Sequence, residues 1–310
     1  MRFPIQIFPT VPTFNFIGHR RIGFIITGLL LAITAWALVA KGLNFGIDFT
    51  GGVVMEVRTE QQADVSKMRG LLKQHTSTND ATLQSIGAEG RDVMIRIKPE
   101  DGQNQNSVAL AVRKTLDEGY GAKVDYLRVD YVGPQVGEEL VYGSAYALMA
   151  AMVAMMLYLW FRFEWQFGVG GILAIFHDAV LTIGFYAITQ IEFNLTSVAA
   201  LLTIIGYSIN DSVVIYDRVR ENLRKYKVRP LMDVLNLSIN ETLARTFLTG
   251  GTVLAALIGL IGFGGDVLFG FSAAMAFGVI IGTFSSIYIS ATILIYMDLR
   301  RENIGHSLKV

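Results

Sequence analysis

Hydrophobic residues along this chain gather into six long runs, each close to the roughly 20 residues that a membrane-spanning helix needs. Ile22–Ala40 and Leu140–Phe161 carry no charge. Phe167–Ile191 carries one acid, Asp178, and Phe193–Tyr216 carries one, Asp211. Thr246–Gly265 and Val267–Met297 are again uncharged, and the last is longer than a span requires, so it is expected to tilt or to lie partly at the interface. Between the first two runs the period changes. Val53–Arg58 alternates with period two and predicts a strand, and Val65, Met68, Leu71 and Leu72 follow at helical spacing. Ala81–Ile86 and Asp92–Ile97 predict strands joined at Gly87–Gly90. Val108, Val112 and Leu116 mark a second helix stopped by Gly119, and Lys123–Val132 a last strand. The pattern predicts a polytopic α-helical membrane protein with six transmembrane helices and one ferredoxin-like α+β domain of order β-α-β-β-α-β.

Composition fits that division. Of 310 residues, 52% are hydrophobic and 17% charged, against about a quarter charged in a soluble domain. Residues 41–140 hold 27 of the 52 charges, which marks them as a soluble insertion. The expected organisation is 1–40 (N-terminus and first span), 41–139 (inserted domain) and 140–310 (spans two to six, with a basic loop at 217–245). The net charge is zero, so bulk charge offers nucleic acid nothing. With no cysteine, disulfides, thiolate metal sites and cysteine nucleophiles are excluded.

Orientation follows from the short loops. Arg2, Arg20 and Arg21 precede the first span, Arg162 follows the second, and six Lys/Arg from Arg218 to Arg229 follow the fourth. Arg300, Arg301 and Lys309 follow the sixth. The alternate loops, around Gln190–Asn194 and Gly262–Asp266, have none. Both termini are therefore expected in the cytoplasm and 41–139 outside it. The first run resembles a cleaved signal, but it is long for a signal core and Leu38 disfavours cleavage, so an uncleaved anchor is expected.

Asp211 is the sharpest candidate for chemistry. A lone carboxylate in an apolar span is costly, faces the protein interior as a rule, and is a functional hypothesis by default. It lies six residues before Asp217, hence about 9 Å inside the membrane boundary. The alternative is a carboxylate permanently satisfied by Ser208, Asn210 or Ser212. Arg245, at the same end of the fifth span, either acts on Asp211 or snorkels to the interface. His177, Asp178 and Asn210 are candidate relay groups. His177 and Asp178 project about 100° apart on a helix, so they are not expected to face one site equally, and cross-bundle hydrogen bonding is an equal alternative. Asp217, Arg218, Arg220 and Glu221 read as a solvated boundary. Beyond Pro230, the stripe Leu231, Val234, Leu235, Ile239 and Leu243 predicts an amphipathic helix on the membrane surface. Small residues every fourth position, Gly270 to Ser290 and again Gly251, Ala255 and Gly259, predict close helix packing. In the inserted domain, the lone His75 and scattered carboxylates form no metal set, and an interaction module is expected.

Three motifs carry a family resemblance. Gly46-Ile47-Asp48-Phe49-Thr50-Gly51-Gly52 opens the inserted domain and resembles the Asp-Phe-Thr-Gly-Gly signature of the SecD/SecF family of protein-export membrane subunits. Ile205–Asn222, with Gly206-Tyr207-Ser208-Ile209-Asn210-Asp211-Ser212, is similar to the fourth span of the smaller subunit type, and Thr242-Leu243-Ala244-Arg245-Thr246 to the opening of its fifth. Phe176-His177-Asp178 stands in the matching third span. The resemblance implies a bacterial inner-membrane subunit of the resistance–nodulation–division type that works with SecD, often YajC, beside the SecYEG channel and the SecA motor. It implies use of the proton motive force in preprotein export, with roles for Asp211 and Arg245, the proton as coupling ion and no bound cofactor. Partners would also include membrane lipid and unfolded preprotein, but no nucleic acid. Asp48, Gly51 and Gly52 read as a structural passage or hinge from span to strand.

Three other readings compete. Tyr216-Asp217 and Gly264-Gly265-Asp266 raise an intramembrane aspartyl protease, but the two acids are expected on opposite faces, about 30 Å apart, and such acids must nearly touch. A small-molecule exporter of the same superfamily would need larger external domains. A passive assembly subunit with structural buried charges is the third.

Overall fold

The computed structural model describes residues 12–75, 81–86, 90–97, 104–297 and 299. In chain order the elements are α1 (Arg20–Ala40), α2 (Ile47–Thr50), β1 (Gly52–Thr59), α3 (Val65–His75), β2 (Ala81–Ile86), β3 (Asp92–Ile97), α4 (Gln105–Gly119) and β4 (Val124–Val132). They continue with α5 (Pro134–Arg162), α6 (Trp165–Thr189), α7 (Leu195–Lys225), α8 (Leu231–Phe263), α9 (Gly265–Ser285), a π-helical turn (Ser286–Ser290) and α10 (Ala291–Ile293). The chain forms two compact units. Of the described residues, a helical unit takes those up to Asn44, Tyr146–Ile191 and those from Thr196, and an α+β unit takes those within Phe45–Ala145 with Glu192–Leu195. Among the described residues six stretches are long and apolar enough to cross a membrane: α1, residues 135–162 of α5, α6, α7, α8 and Leu268–Ile293.

In the helical unit, small residues decide which faces meet. Gly184 of α6 lies against Thr34 of α1, and Gly23 of α1 against Tyr288. A Cβ at Gly282 would stand 3.3 Å from that of Ser208, and Gly278 lies against Ile204, so the α9 stripe packs internally on α7. Backbones approach closely where side chains are absent, which in lipid replaces the hydrophobic drive available in water. The matching stripe on α8 differs, because Gly251 and Gly259 face open space.

At 31 residues α7 is about 46 Å long, well beyond the roughly 30 Å hydrocarbon core. Its extra turns alter the expected layout. The basic segment 217–245 is largely helical, with only residues 226–230 between α7 and α8. The stripe expected to lie on the membrane surface is instead the first half of α8. Val234, Leu235, Ile239 and Leu243 are buried with Ile215, Val219 and Leu223 of α7. An apolar face buries against another apolar face where one is offered, and the extended α7 offers one. The N-terminal segment closes the same end: the Asn236 and Asn240 amides donate to the Phe14 carbonyl at 2.9 and 2.8 Å, and the Phe14 N–H donates to Asn240 at 2.9 Å.

The α+β unit is a four-stranded antiparallel sheet of order β2-β3-β1-β4. The expected β-α-β-β-α-β order is present, with strand limits within about a residue of those read from the pattern. One face is covered by α3 and α4. Met68, Leu72, Val108, Val112 and Leu116 pack there on Val53, Met55, Val57, Val93, Ile95 and Ile97. Residues 87–89 of the hairpin link and residues 76–78 lie outside the described residues, as do Arg300, Arg301 and Lys309.

Candidate functional site

The helical unit buries two carboxylates in different settings. Asp178 on α6 is wholly inaccessible and accepts three hydrogen bonds: from Ser208 Oγ of α7 at 2.5 Å, from Ser285 Oγ of α9 at 2.7 Å, and from its neighbour His177 Nδ1 at 2.9 Å. His177 and Asp178 therefore meet despite their divergent directions. His177 is also buried, and its Nε2 has no partner among the described residues. Ser285 immediately precedes the π-helical turn, a distortion that often accompanies functional sites.

Asp211 lies one turn beyond Ser208 on α7 and is 2% exposed. Its Oδ2 has no hydrogen-bond partner among the described residues, and neither has the neighbouring Ser212 Oγ. Of the three groups expected to satisfy it, Ser208 is engaged by Asp178, Asn210 is exposed, and Ser212 makes no bond. The charge of Arg245 on α8 acts on Asp211 without a direct ion pair, and Tyr207, one turn back, also feels the carboxylate. Arg245 is exposed. The arrangement leaves Asp211 a carboxylate whose charge is answered at a distance by one exposed cation.

Asp217 has a different neighbour from the one a protease needs. It pairs with Arg162 at 2.9 Å at the surface, where Arg218 also bonds Glu221 at 2.8 Å. A cleft of about 520 Å³ opens there among Arg162, Asp217, Arg220, Glu221, Arg224 and Lys225.

The glycine-rich signature has a backbone explanation. Gly51 and Gly52 both adopt positive φ, 67° and 134°, and a Cβ on Gly52 would stand 2.6 Å from the Ile97 carbonyl oxygen. Only glycine fits both demands. Asp48, in the single-turn α2, accepts from the backbone N–H of Leu195 at 2.9 Å, where α7 begins. Arg96 of β3 forms an ion pair with Glu192. Burial pushes the Glu192 carboxyl above the usual carboxylate range, Arg96 opposes that rise, and Asp48 adds to it. Phe45, Phe49 and Phe193 cluster with ring centroids 5.7–6.0 Å apart.

The sequence reading brings out Asp211, Arg245, His177 and Asp178. It misses Ser285 as a ligand of Asp178, the asparagine clasp on Phe14, and the partners of Asp48. The clasp leaves a signal, two asparagines four residues apart on an apolar stripe. Ser285 leaves none, since a serine in an apolar span carries no mark of its partner.

A six-span helical bundle carrying one small α+β unit and buried acids on its central helices defines a polytopic membrane protein of the transport kind. Residues 112–300 match the family model "Protein export membrane protein SecD/SecF, C-terminal", and residues 36–63 match the SecD/SecF GG motif. The chain belongs to the SecD/SecF family of protein-export membrane proteins. It is 44% identical to protein translocase subunit SecF of Rickettsia felis over 97% of both chains, and 44% identical to that of Pseudomonas aeruginosa over 95% of this chain and 94% of the other. A crystal structure of SecDF from Thermus thermophilus, described as a translocon-associated membrane protein, superposes with a TM-score of 0.85 at 35% identity. That match covers 97% of this chain and 40% of the SecDF chain. SecDF in a super-membrane-facing form matches at a TM-score of 0.70 and 36% identity, over 98% of this chain and 41% of the other.

Proposed function

We propose that this chain is the smaller, SecF-type subunit of a bacterial protein-export complex, and that with SecD it uses the proton motive force to assist preprotein movement across the inner membrane. In this reading both termini are cytoplasmic and the α+β unit is external. The complex acts beside SecYEG and SecA, often with YajC, with the proton as coupling ion and no cofactor. The identity with SecF proteins and the match to part of a SecDF chain support SecD as partner. The loop charges support the orientation.

The observation that carries the mechanism is the unpartnered carboxylate oxygen of Asp211 on a helix packed at the bundle centre. A charged acid in an apolar interior is stabilised by the charge that answers it, here Arg245. Proton uptake at Asp211 and displacement of Arg245 are then linked, so a proton changes which arrangement of α7 and α8 is favoured. One elementary charge crossing the membrane gains roughly 2.3 kcal/mol per 100 mV, comparable to the few kcal/mol that separate two conformers. His177, Asp178 and Asn210 are a candidate relay. Arg245→Met removes the answering cation and is expected to stall the same cycle.

The test is export into vesicles energised by a proton gradient, comparing Asp211→Asn with the native chain at matched levels and with co-purification of SecD verified. Loss of the gradient-dependent part with assembly intact supports the reading. Normal stimulation by the Asn variant assigns the buried charges to assembly. A reporter fused after residue 227 is expected in the cytoplasm and one after residue 100 outside it.

A further inference from the structure

Residues 192–195 lie at the mouth of α7, yet they belong to the α+β unit. Three kinds of contact hold them there. Asp48 accepts from the Leu195 N–H at 2.9 Å. Glu192 is ion-paired to Arg96. Phe193 pairs with Phe45 in a short parallel bridge, its carbonyl accepts from the Gly46 N–H at 2.8 Å, and its ring stacks on Phe49 at 5.7 Å. A Cβ at Gly46 would meet the Glu192 carboxylate and lie 3.1 Å from that of Asn194.

We propose that Asp48, with the Arg96–Glu192 pair, is a joint that fastens the first turn of α7 to the two inner strands of the α+β sheet, so that axial movement of α7 is delivered to that unit. The first turn of a helix presents N–H groups with no partner within the helix, and its positive end favours a carboxylate. Asp48 supplies that carboxylate from 147 residues away, so the cap doubles as a tie between distant segments. The grip falls on two adjacent strands. Asp48 leads through Gly51 and Gly52 into β1, and Arg96 lies on β3, the inner pair of the order β2-β3-β1-β4. Asp211 lies 16 residues along α7 from Leu195, about 24 Å of continuous helix, which is a stiff rod on this scale. The signature thus does two things: its glycines make the turn into β1, and its aspartate is a positioning residue that holds α7. As a transmission element the joint rests on the reading that α7 moves with the protonation of Asp211; as a tie it stands alone.

The experiment uses the full chain co-purified with SecD in lipid nanodiscs, reading amide exchange at residues 194–196 and gradient-dependent export. Asp48→Ala is expected to speed exchange at Leu195 by about fivefold, the equivalent of a typical helix cap, and to reduce export. Asp48→Asn keeps an acceptor and is expected to retain most of the protection. Arg96→Glu and Glu192→Arg are each expected to reduce export, and the two together to restore it, a rescue that general misfolding does not produce. Native exchange at Leu195 in Asp48→Ala, or a double variant no better than the singles, overturns the joint. If Asp211→Asn exports normally, the proton reading falls, while the Leu195 exchange and the charge-swap rescue still decide the tie.

Discussion

Asp178 and Asp211 sit in one helical bundle, both buried, both near Ser208, and they differ in what surrounds their oxygens. Asp178 accepts from two serine hydroxyls and a histidine drawn from α6, α7 and α9. Asp211 has an oxygen with no partner among the described residues and a cation that acts from outside hydrogen-bonding reach. A buried carboxylate surrounded by donors gains little from movement, because any shift breaks bonds that the interior cannot replace. One left short of donors is held weakly in any single arrangement. Burial is therefore common to both carboxylates, and the number of donors around each is what distinguishes them.

The largest expected effect is on Asp211. On the proposed reading Asp211→Asn removes the acid that binds the coupling proton, whose crossing gains roughly 2.3 kcal/mol per 100 mV, so gradient-stimulated export should fall on the order of 50-fold, measured in energised vesicles. Asp178→Ala tests the other half. It leaves two serine hydroxyls and a histidine without their acceptor, and should lower bundle stability by about 2–4 kcal/mol, read as earlier thermal unfolding in detergent and poorer assembly with SecD. The comparison breaks if Asp178→Ala assembles normally but loses gradient response as Asp211→Asn does.

Ser208→Ala sharpens it further. Removing one of three donors should cost about 1 kcal/mol of stability and leave gradient-dependent export near native. Abolished export would make the two carboxylates one relay rather than two sites.

The smallest effect lies outside the bundle. Asp92 is paired in a two-pronged contact with Arg58, at 2.6 and 2.7 Å, and the guanidinium holds its carboxyl below the usual range. A depressed folded pKa contributes stability above the unfolded carboxylate range, and that contribution is lost as pH falls through the folded value. For so solvated a pair it should amount to less than about 1 kcal/mol. Arg58→Ala should remove it, flattening the acid limb of denaturant midpoints measured on the 41–140 segment, whose core residues are its own.

The period-two and helical patterns are enough to read the α+β unit, because β3 alternates cleanly, β1 places core residues at every second position, and each helix has one apolar face. Val53, Met55 and Val57 fall inward as their alternation requires. In the bundle the spans are legible by length, but the pattern divides α8 in two, because Arg245 interrupts its hydrophobicity and an apolar stripe carries no mark of what will cover it. Asp211 is legible as a lone charge in an apolar run. Its isolation is not, since Ser208 and Ser212 stand close enough in sequence to satisfy it, and only the fold sends Ser208 to Asp178. The role of Asp48 is hidden for the same reason: its partner is 147 residues distant.

The asparagine clasp on Phe14 has a consequence for biosynthesis. Phe14 leaves the ribosome more than two hundred residues before Asn236 and Asn240 exist, and at roughly 5–20 residues per second that interval lasts on the order of 10–45 seconds. Throughout it the segment ahead of α1 must wait without its eventual partners, while α1 is already inserted. Closure of this end is thus a late event in the making of the protein, timed by the arrival of α8. A nascent chain halted before residue 236 should leave the Phe14 region open to protease, and one released after residue 263 should protect it.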